Sequence, residues 1–398
     1  MPLTFVHTAD WHLGRVYRGL GPRSYESAKW RWQAVRNIFE LAAQNDASFI
    51  LVAGDVFDSD RPGKDVVRDA VELLCDAPRP VIMISGNHDP CAEGSVWEHG
   101  DFAGALKGVR HVRLAMTAEP IELDDCDTVI FPCAVAAKHT REDITSWIPE
   151  AARGGERVRI GLAHGGWKGY YGELNGEAAE APYNLIDNQR AERCGLDYLA
   201  LGDYHSYTLP EHPAARERTY YAGTPECGAC DDARPGYAML VRVAAPGADP
   251  AVEPRFVGRV RPHDLGQITL RSGEGLDGLA MRLAAITESE QTLVRAKICG
   301  CLSEAEMKDF QQWLNATREG FLGADIDIRD LYTEPTDADF GALRLEPAEQ
   351  RILDLLGQPM AAADLTGVKD SQCVAAWSED EAARRAARVL FYELLRES

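Results

Sequence analysis

Carboxylates, imidazoles and one amide recur in this sequence in a single local setting, just beyond a short apolar run. Gly86-Asn87-His88-Asp89 follows Pro80-Val81-Ile82-Met83-Ile84-Ser85, and Asp10 and His12 follow Leu3-Thr4-Phe5-Val6-His7-Thr8. Asp55 follows Phe49-Ile50-Leu51-Val52-Ala53 through Gly54. His164 ends the run from Arg157 to Ala163, and Asp203 and His205 follow the run from Leu196 to Leu201 through Gly202. Oxygen and imidazole donors without thiolates suit Mn²⁺, Fe²⁺ or Zn²⁺ and disfavour a purely structural zinc. The donors suffice for two ions, and one aspartate shared between them would hold the pair at the roughly 3.5–4 Å used in two-metal hydrolysis. The chemistry open to such a centre is in-line attack of activated hydroxide on phosphorus, with a nearby imidazole protonating the departing alkoxide. His88, next to Asn87, can approach a substrate without being a ligand itself.

The runs that carry these groups are short, β-rich and flanked by turn formers, so they read as buried strands. Between them lie segments of helical spacing. One runs from about Tyr25 to Gln44, with Ala28, Trp32, Val35, Ile38, Phe39 and Ala42 on one face and Ser24 as N-cap; another runs from about Val66 to Cys75. Strand and helix in alternation predict a parallel or mixed sheet with covering helices, whose carboxyl edge is where ligands bind. Val109 to Leu114, Thr128 to Pro132, Tyr220 to Gly223 and Gly236 to Val243 read as further strands of this domain. Ala244 to Pro254, small residues broken by prolines, reads as a linker. Beyond it a small α+β unit is expected, with Ser303-Glu304-Ala305-Glu306 resembling a capping box. Two helical stretches follow, Ile352 to Leu356 and about Glu379 to Leu395, which either pack on their own domain or dock a partner.

With 398 residues, two or three domains are expected. The net charge of −21 argues against a protein that holds nucleic acid by a broad basic surface. Divalent ions in an acidic site reverse the field locally. Ten cysteines in a large chain whose first residues lack a leader pattern predict reduced thiols and a cytoplasmic protein, and no stretch is long and apolar enough for a membrane span. Arg15, Arg18 and Arg23 are the local candidates for phosphate contacts, with a solvated loop as the competing reading. Tyr170, with Trp167, Lys168 and Tyr171, either touches substrate or packs down on the domain. His7, inside a strand, reads as a buried hydrogen-bonded residue.

The set Asp10-x-His12, Gly54-Asp55-x-x-Asp58, Gly86-Asn87-His88-Asp89, His164 and Gly202-x-x-His205 resembles the calcineurin-like metallophosphoesterase superfamily. Asp10-Trp11-His12-Leu13-Gly14, Gly54-Asp55-Val56-Phe57-Asp58 and Tyr221-Ala222-Gly223-Thr224-Pro225-Glu226 are similar to the SbcD-like DNA repair exonucleases. The resemblance implies an α/β, four-layer sandwich of two mixed sheets flanked by helices over residues 1–243. A small α+β capping domain over 255–335 and a helical C-terminal segment over 343–398 would follow. It implies one metal on Asp10, His12, Asp55 and His205 and another on Asp55, Asn87, His164 and Asp203. Asp55 then bridges, His88 is the acid or transition-state stabiliser, and Asp89 is a supporting partner that orients His88. Mn²⁺ is the expected metal, with Mg²⁺, Fe²⁺ or Zn²⁺ as others. DNA as substrate, an SbcC-like ATPase docked on the terminal helices and a homodimer are implied likewise. The sequence departs from the family at Asp203, where the motif usually reads Gly-His-x-His. A carboxylate there favours Mn²⁺ or Mg²⁺ over softer ions and leaves open a scaffold subunit whose site binds metal weakly, while the charge of −21 leaves open a phosphodiesterase of nucleotides or other small phosphodiesters.

Overall fold

The computed structural model describes residues 2–16, 24–98, 100–168, 183–208, 212, 218–228, 234–271, 273, 276–356, 387–392 and 394–395. The apolar runs near the N-terminus form β1 (Leu3–Thr8), β2 (Phe49–Ala53) and β3 (Val81–Ile84), linked through α1 (Ser24–Gln44) and α2 (Lys64–Cys75). These strands are parallel neighbours, and β4 (Val112–Leu114) joins β3 in parallel at one edge. A second sheet contains β5 (Ile121–Leu123), β6 (Thr128–Cys133), β7 (Val158–His164), β10 (Tyr198–Gly202) and β11 (Thr219–Tyr221), in the order β11-β10-β7-β6-β5. The short ribbon of β8 (Gly166–Trp167) and β9 (Leu185–Ile186) and helix α3 (Arg190–Arg193) lie between β7 and β10 in sequence.

Buried faces on both sides of each sheet explain why these strands read as continuous apolar runs rather than alternating ones. Phe5, Phe49, Leu51, Ile82 and Ile84 of the first sheet share a core with Ile130, Ile160, Leu162, Tyr198 and Tyr220 of the second. On the first sheet's other face Val6, Ile50, Val52 and Met83 pack with Val35, Ile38 and Phe39 of α1 and Leu73 and Leu74 of α2. On the second sheet's other face Phe131, Leu199 and Leu201 pack with Ile148, Trp167, Ala191 and Leu196. The result is the expected layered sandwich of two mixed sheets.

The first sheet is completed by β12 (Tyr237–Val243) and β13 (Ala251–Phe256), antiparallel to β1 and β12 respectively. The stretch from Ala244 to Pro254, expected as a linker, is therefore a turn and most of an edge strand. Pro254 is tolerated opposite Met239 because β13 is the outermost strand, where an N–H donor can be spared. The chain divides into two units, Met1–Pro262 and His263–Ser398. In the second, β14 (Arg261–Arg271), β15 (Thr292–Leu302) and β16 (Gly323–Thr333) form a sheet in that order. One face packs Val294, Ala296, Ile298 and Ile326 against Leu279 and Leu283 of α4 (Asp277–Ala284) and Phe310 and Leu314 of α5 (Glu304–Gly320). Ser303 and Glu306 form the expected capping box of α5. Helices α6 (Asp337–Gly341) and α7 (Pro347–Leu356) follow. The helical stretch expected from Glu379 falls largely outside the described residues. No helix among those described is long and apolar enough to cross a membrane, and the described cysteines are free thiols.

His7 is fully buried in the inter-sheet core, its Nδ1 2.9 Å from the Tyr198 hydroxyl across the gap. Burial pushes its pKa down to about 3. Between pH 6.5 and 3 the unfolded chain binds a proton that folded His7 refuses, so this group withdraws stability as pH falls through that window. Unfolding of the first unit by urea should lose about 3 kcal/mol more between pH 7 and pH 4 in the wild type than in His7→Gln. Equal acid sensitivity of the two proteins would show that His7 is not the titrating group.

Candidate metal centre

The expected site residues converge where the carboxyl ends of β1, β2, β3, β7 and β10 meet, so both sheets contribute. The loop after β1 is laid along the loop after β2. The Asp10 and His12 amides donate to the carbonyls of Gly54 and Asp55 at 3.1 and 2.9 Å, and Leu13 donates to Val56 at 2.9 Å. Asp10, His12, Asp55 and Asp203 all have positive φ, at 53°, 44°, 50° and 105°. They are half of the non-glycine residues in that state among those described. Backbone strain of this kind persists where the surroundings enforce it and gathers at functional sites.

Glycines let the elements close in. A Cβ on Gly86 would lie 2.1 Å from the Asp55 carboxylate, and one on Gly202 would lie 2.1 Å from the Ala53 carbonyl and 2.8 Å from His164 Nδ1. That same carbonyl accepts from His164 Nδ1 at 2.8 Å. A carbonyl cannot donate, so Nδ1 bears the hydrogen and Nε2 is left as the acceptor. Buried Nε2 has no hydrogen-bond partner and faces carboxylate oxygens of Asp55 at 3.5 Å and Asp203 at 3.9 Å. His12 Nε2 and His205 Nε2 meet at 3.1 Å, and His12 Nε2 lies 3.9 Å from Asp55. An orphaned imidazole nitrogen, converging ring nitrogens and a carboxylate between them are donors of the kind that suit a pair of divalent cations. Asp10, His12 and Asp55 each offer a ligand atom within 4.8 Å of the others, and so do His12, Asp58 and His88.

Electrostatics describe the same pocket. Burial raises the pKa of Asp10 and of Asp203, and the neighbouring Asp55 carboxylate adds to the rise in each. Burial, and then the facing His205, hold His12 well below the ordinary imidazole value. Burial also opposes a charged His164, yet the carboxylates of Asp55, Asp10 and Asp203 outweigh it and push its pKa up to about 9. Without a cation the pocket thus recruits a proton at the ring whose free nitrogen points at the carboxylates.

The sequence model of the calcineurin-like phosphoesterase family matches residues 3–207, just over half of the chain. The chain belongs to this family. The D subunit of nuclease SbcCD from Staphylococcus epidermidis is 30% identical to it over 143 residues, 34% of this chain and 36% of that protein. The chain thus matches little more than a third of that relative's length. Among solved structures, TT1561 of Thermus thermophilus aligns with 65% of this chain and 100% of its own at 9% identity and a TM-score of 0.38. The calcineurin-like phosphoesterase YfkN from Bacillus subtilis aligns with 64% and 91% at 12% identity and a TM-score of 0.37.

In this family member His88 is the open residue of the site, its side chain 41% exposed. Its ring is 4.9 Å from that of His12, and its Nδ1 lies 3.2 Å from the Asp58 carbonyl. Asn87 donates its amide N–H to Asp203 at 2.8 Å. Asp89 was expected to orient the His88 ring. Instead its buried carboxylate accepts from the Gly86 and Phe57 amides at 2.7 and 2.9 Å, and burial raises its pKa well above the usual carboxylate range. An acid this deep reaches backbone donors of the turn rather than an exposed ring. Arg15 lies beside the site, 3.9 Å from Asp58. Arg18, Arg23, Tyr170 and Tyr171 fall outside the described residues, and Trp167 is packed down in the core.

Some supporting residues gave no sequence signal. Buried Arg31 of α1 donates to the Trp11 and Cys227 carbonyls at 3.2 and 3.3 Å, and Thr224 donates its hydroxyl to the Asp10 carbonyl at 2.9 Å. A helical Arg and a loop Thr look ordinary until the fold brings them to the β1 loop. Asp89→Asn exchanges one acceptor for a donor facing the Gly86 or the Phe57 amide, beside the turn that carries Asn87. Mn²⁺ affinity by titration calorimetry should fall about 10–100-fold in this variant. Unaltered affinity would remove Asp89 from the support of this turn.

Proposed function

We propose that this chain is a metal-dependent phosphodiesterase acting on DNA, an SbcD-like nuclease of DNA repair or end processing. The observation that carries the reading is the buried, partnerless His164 Nε2 aimed at Asp55 and Asp203, within a set of donors drawn from both sheets. Asp10, His12, Asp55 and His205 would hold one divalent ion, and Asp55, Asn87, His164 and Asp203 the other, with Mn²⁺ the metal of choice. When bound, the pair supplies Lewis-acid activation of water and neutralises the phosphoryl oxygens.

The chain's own residues do the rest. Asp55 is shared between the two ligand sets, and its Oδ1 is fixed by the His88 amide at 2.8 Å. His88, with Nδ1 turned to the Asp58 carbonyl, leaves Nε2 for the departing oxygen, to which the ring would give a proton in its imidazolium form. Arg15, 3.9 Å from Asp58, would meet a phosphate at the rim.

Residues 255–335 would act as a capping domain. The helices beyond residue 343 would dock an SbcC-like ATPase, a role that suits Ile352, Leu355, Leu390 and Leu394, exposed at 44%, 42%, 62% and 64%. A cytoplasmic homodimer belongs to the same reading. The net charge of −21 favours a second reading, hydrolysis of nucleotides or other small phosphodiesters.

With Mn²⁺ the protein should cleave single- and double-stranded DNA. His88→Ala should lower kcat by about 10²–10⁴ with metal content intact, and Asp55→Ala should lose activity and bound metal together. Cleavage of bis(p-nitrophenyl) phosphate with none of DNA at low salt would select the second reading. Robust cleavage surviving both substitutions would place the activity elsewhere.

A further inference from the structure

We infer that Tyr183, Arg141, His139 and Lys138 form a platform that stacks an unpaired nucleobase beside the metal centre and holds its phosphate. The inference rests on the phosphodiesterase reading above and adds to it a surface outside the ligand set. Tyr183 is an aromatic with 46% of its surface exposed. The His139 ring lies 4.9 Å from the Tyr183 ring at 42°, and the Arg141 guanidinium stands 5.8 Å from the Tyr183 ring centre. Lys138, His139 and Arg141 are all exposed, and two of them, Lys138 and Arg141, place cations within four consecutive residues of a strongly acidic chain. Glu142 is the exposed acid that follows them.

The platform is held by buried Asn184. Its amide donates to the Lys138 carbonyl at 2.9 Å, its Oδ1 accepts from the Thr140 amide at 3.0 Å, and its own backbone N–H donates to the Thr140 carbonyl at 2.7 Å. Asn184 has a positive φ of 56° that lets its backbone and side chain grip one segment together. Both arms are anchored next to residues of the metal centre. The Asn184 carbonyl accepts from Gly166 at 3.0 Å, two residues beyond His164. The Val135 carbonyl accepts from Ser85 Oγ and the Cys91 amide at 2.8 Å each, on either side of Gly86-Asn87-His88-Asp89.

An exposed ring with a guanidinium over it and a tilted imidazole beside it, fixed by a buried polar clamp, matches the π-face and phosphate of a nucleotide whose base is free of a partner. A base inside a duplex has both faces occupied and cannot use it. The platform therefore selects unpaired strand.

The test measures binding of a fluorescein-labelled oligothymidylate to the full chain by anisotropy, in a His88→Ala background so that the strand is not cut. Base–aromatic stacking is worth about 1–3 kcal/mol per base, so Tyr183→Ala should weaken binding about 5- to 150-fold. Tyr183→Phe keeps the π-face and should stay within about twofold of the parent. Replacing Lys138 and Arg141 together by Ala should flatten the slope of log K against log salt by about 1.4. Failure of the parent to bind the strand, Tyr183→Ala binding within twofold of the parent, or equal loss in Tyr183→Phe and Tyr183→Ala would each overturn the platform. The phosphodiesterase reading is judged separately, by Mn²⁺-dependent hydrolysis of bis(p-nitrophenyl) phosphate by the wild type. Hydrolysis there with no effect of Tyr183→Ala on strand binding would sink the platform alone.

Discussion

The hydrogen bond from His164 Nδ1 to the Ala53 carbonyl sets the terms for much of this structure. It joins the end of β7 to the end of β2, one strand from each sheet, at the edge where the chemistry gathers. Because the carbonyl can only accept, the bond dictates the imidazole tautomer and turns the basic nitrogen toward Asp55 and Asp203. It also requires the sheets to approach so closely that Gly202 cannot carry a side chain without meeting the same carbonyl. Tautomer, sheet spacing and a glycine requirement are thus three faces of one contact.

The second constraint is charge. Asp10, Asp55 and Asp203 are brought together in a region that excludes most water, and burial raises the pKa of Asp10 and Asp203. Such an arrangement is unfavourable in isolation and calls for compensation by a proton or a cation. The positive φ values at Asp10, His12, Asp55 and Asp203 show the backbone held in uncommon states at the same place. Hydrogen bonds from Arg31 and Thr224, and the one that the Asp10 amide donates to the Gly54 carbonyl, hold the β1 loop in that state, and the partners come from parts of the chain far apart in sequence.

Much of the site was legible in the sequence because each part is local. A strand and the polar residues that leave its end are contiguous, so Asp10, His12, Asp55, Asn87, His164, Asp203 and His205 could each be read without knowing the others. Their convergence follows from parallel strands presenting the same edge. What could not be read depends on distance in the sequence. Asp89 reaches the Phe57 amide across 32 positions, and Arg31 reaches Cys227 across 196. The prolines from Ala244 to Pro254 looked like a linker because nothing local says that β12 has an unpaired edge for β13 to fill. The cluster at Tyr183 was hidden for the same reason: Arg141 and Tyr183 are neighbours only after Asn184 splices their segments.

The donors of the centre are divided between sheets that otherwise meet mainly through apolar side chains. A cation seated there would act as a clasp, because the two halves could not part without releasing it. By mass action, a ligand at 100 times its dissociation constant adds about 2.7 kcal/mol to folding. The cohesion of the sandwich would then track the divalent-ion supply around it, so that the chain's lifetime, and not only its chemistry, would be written in the same currency of ions.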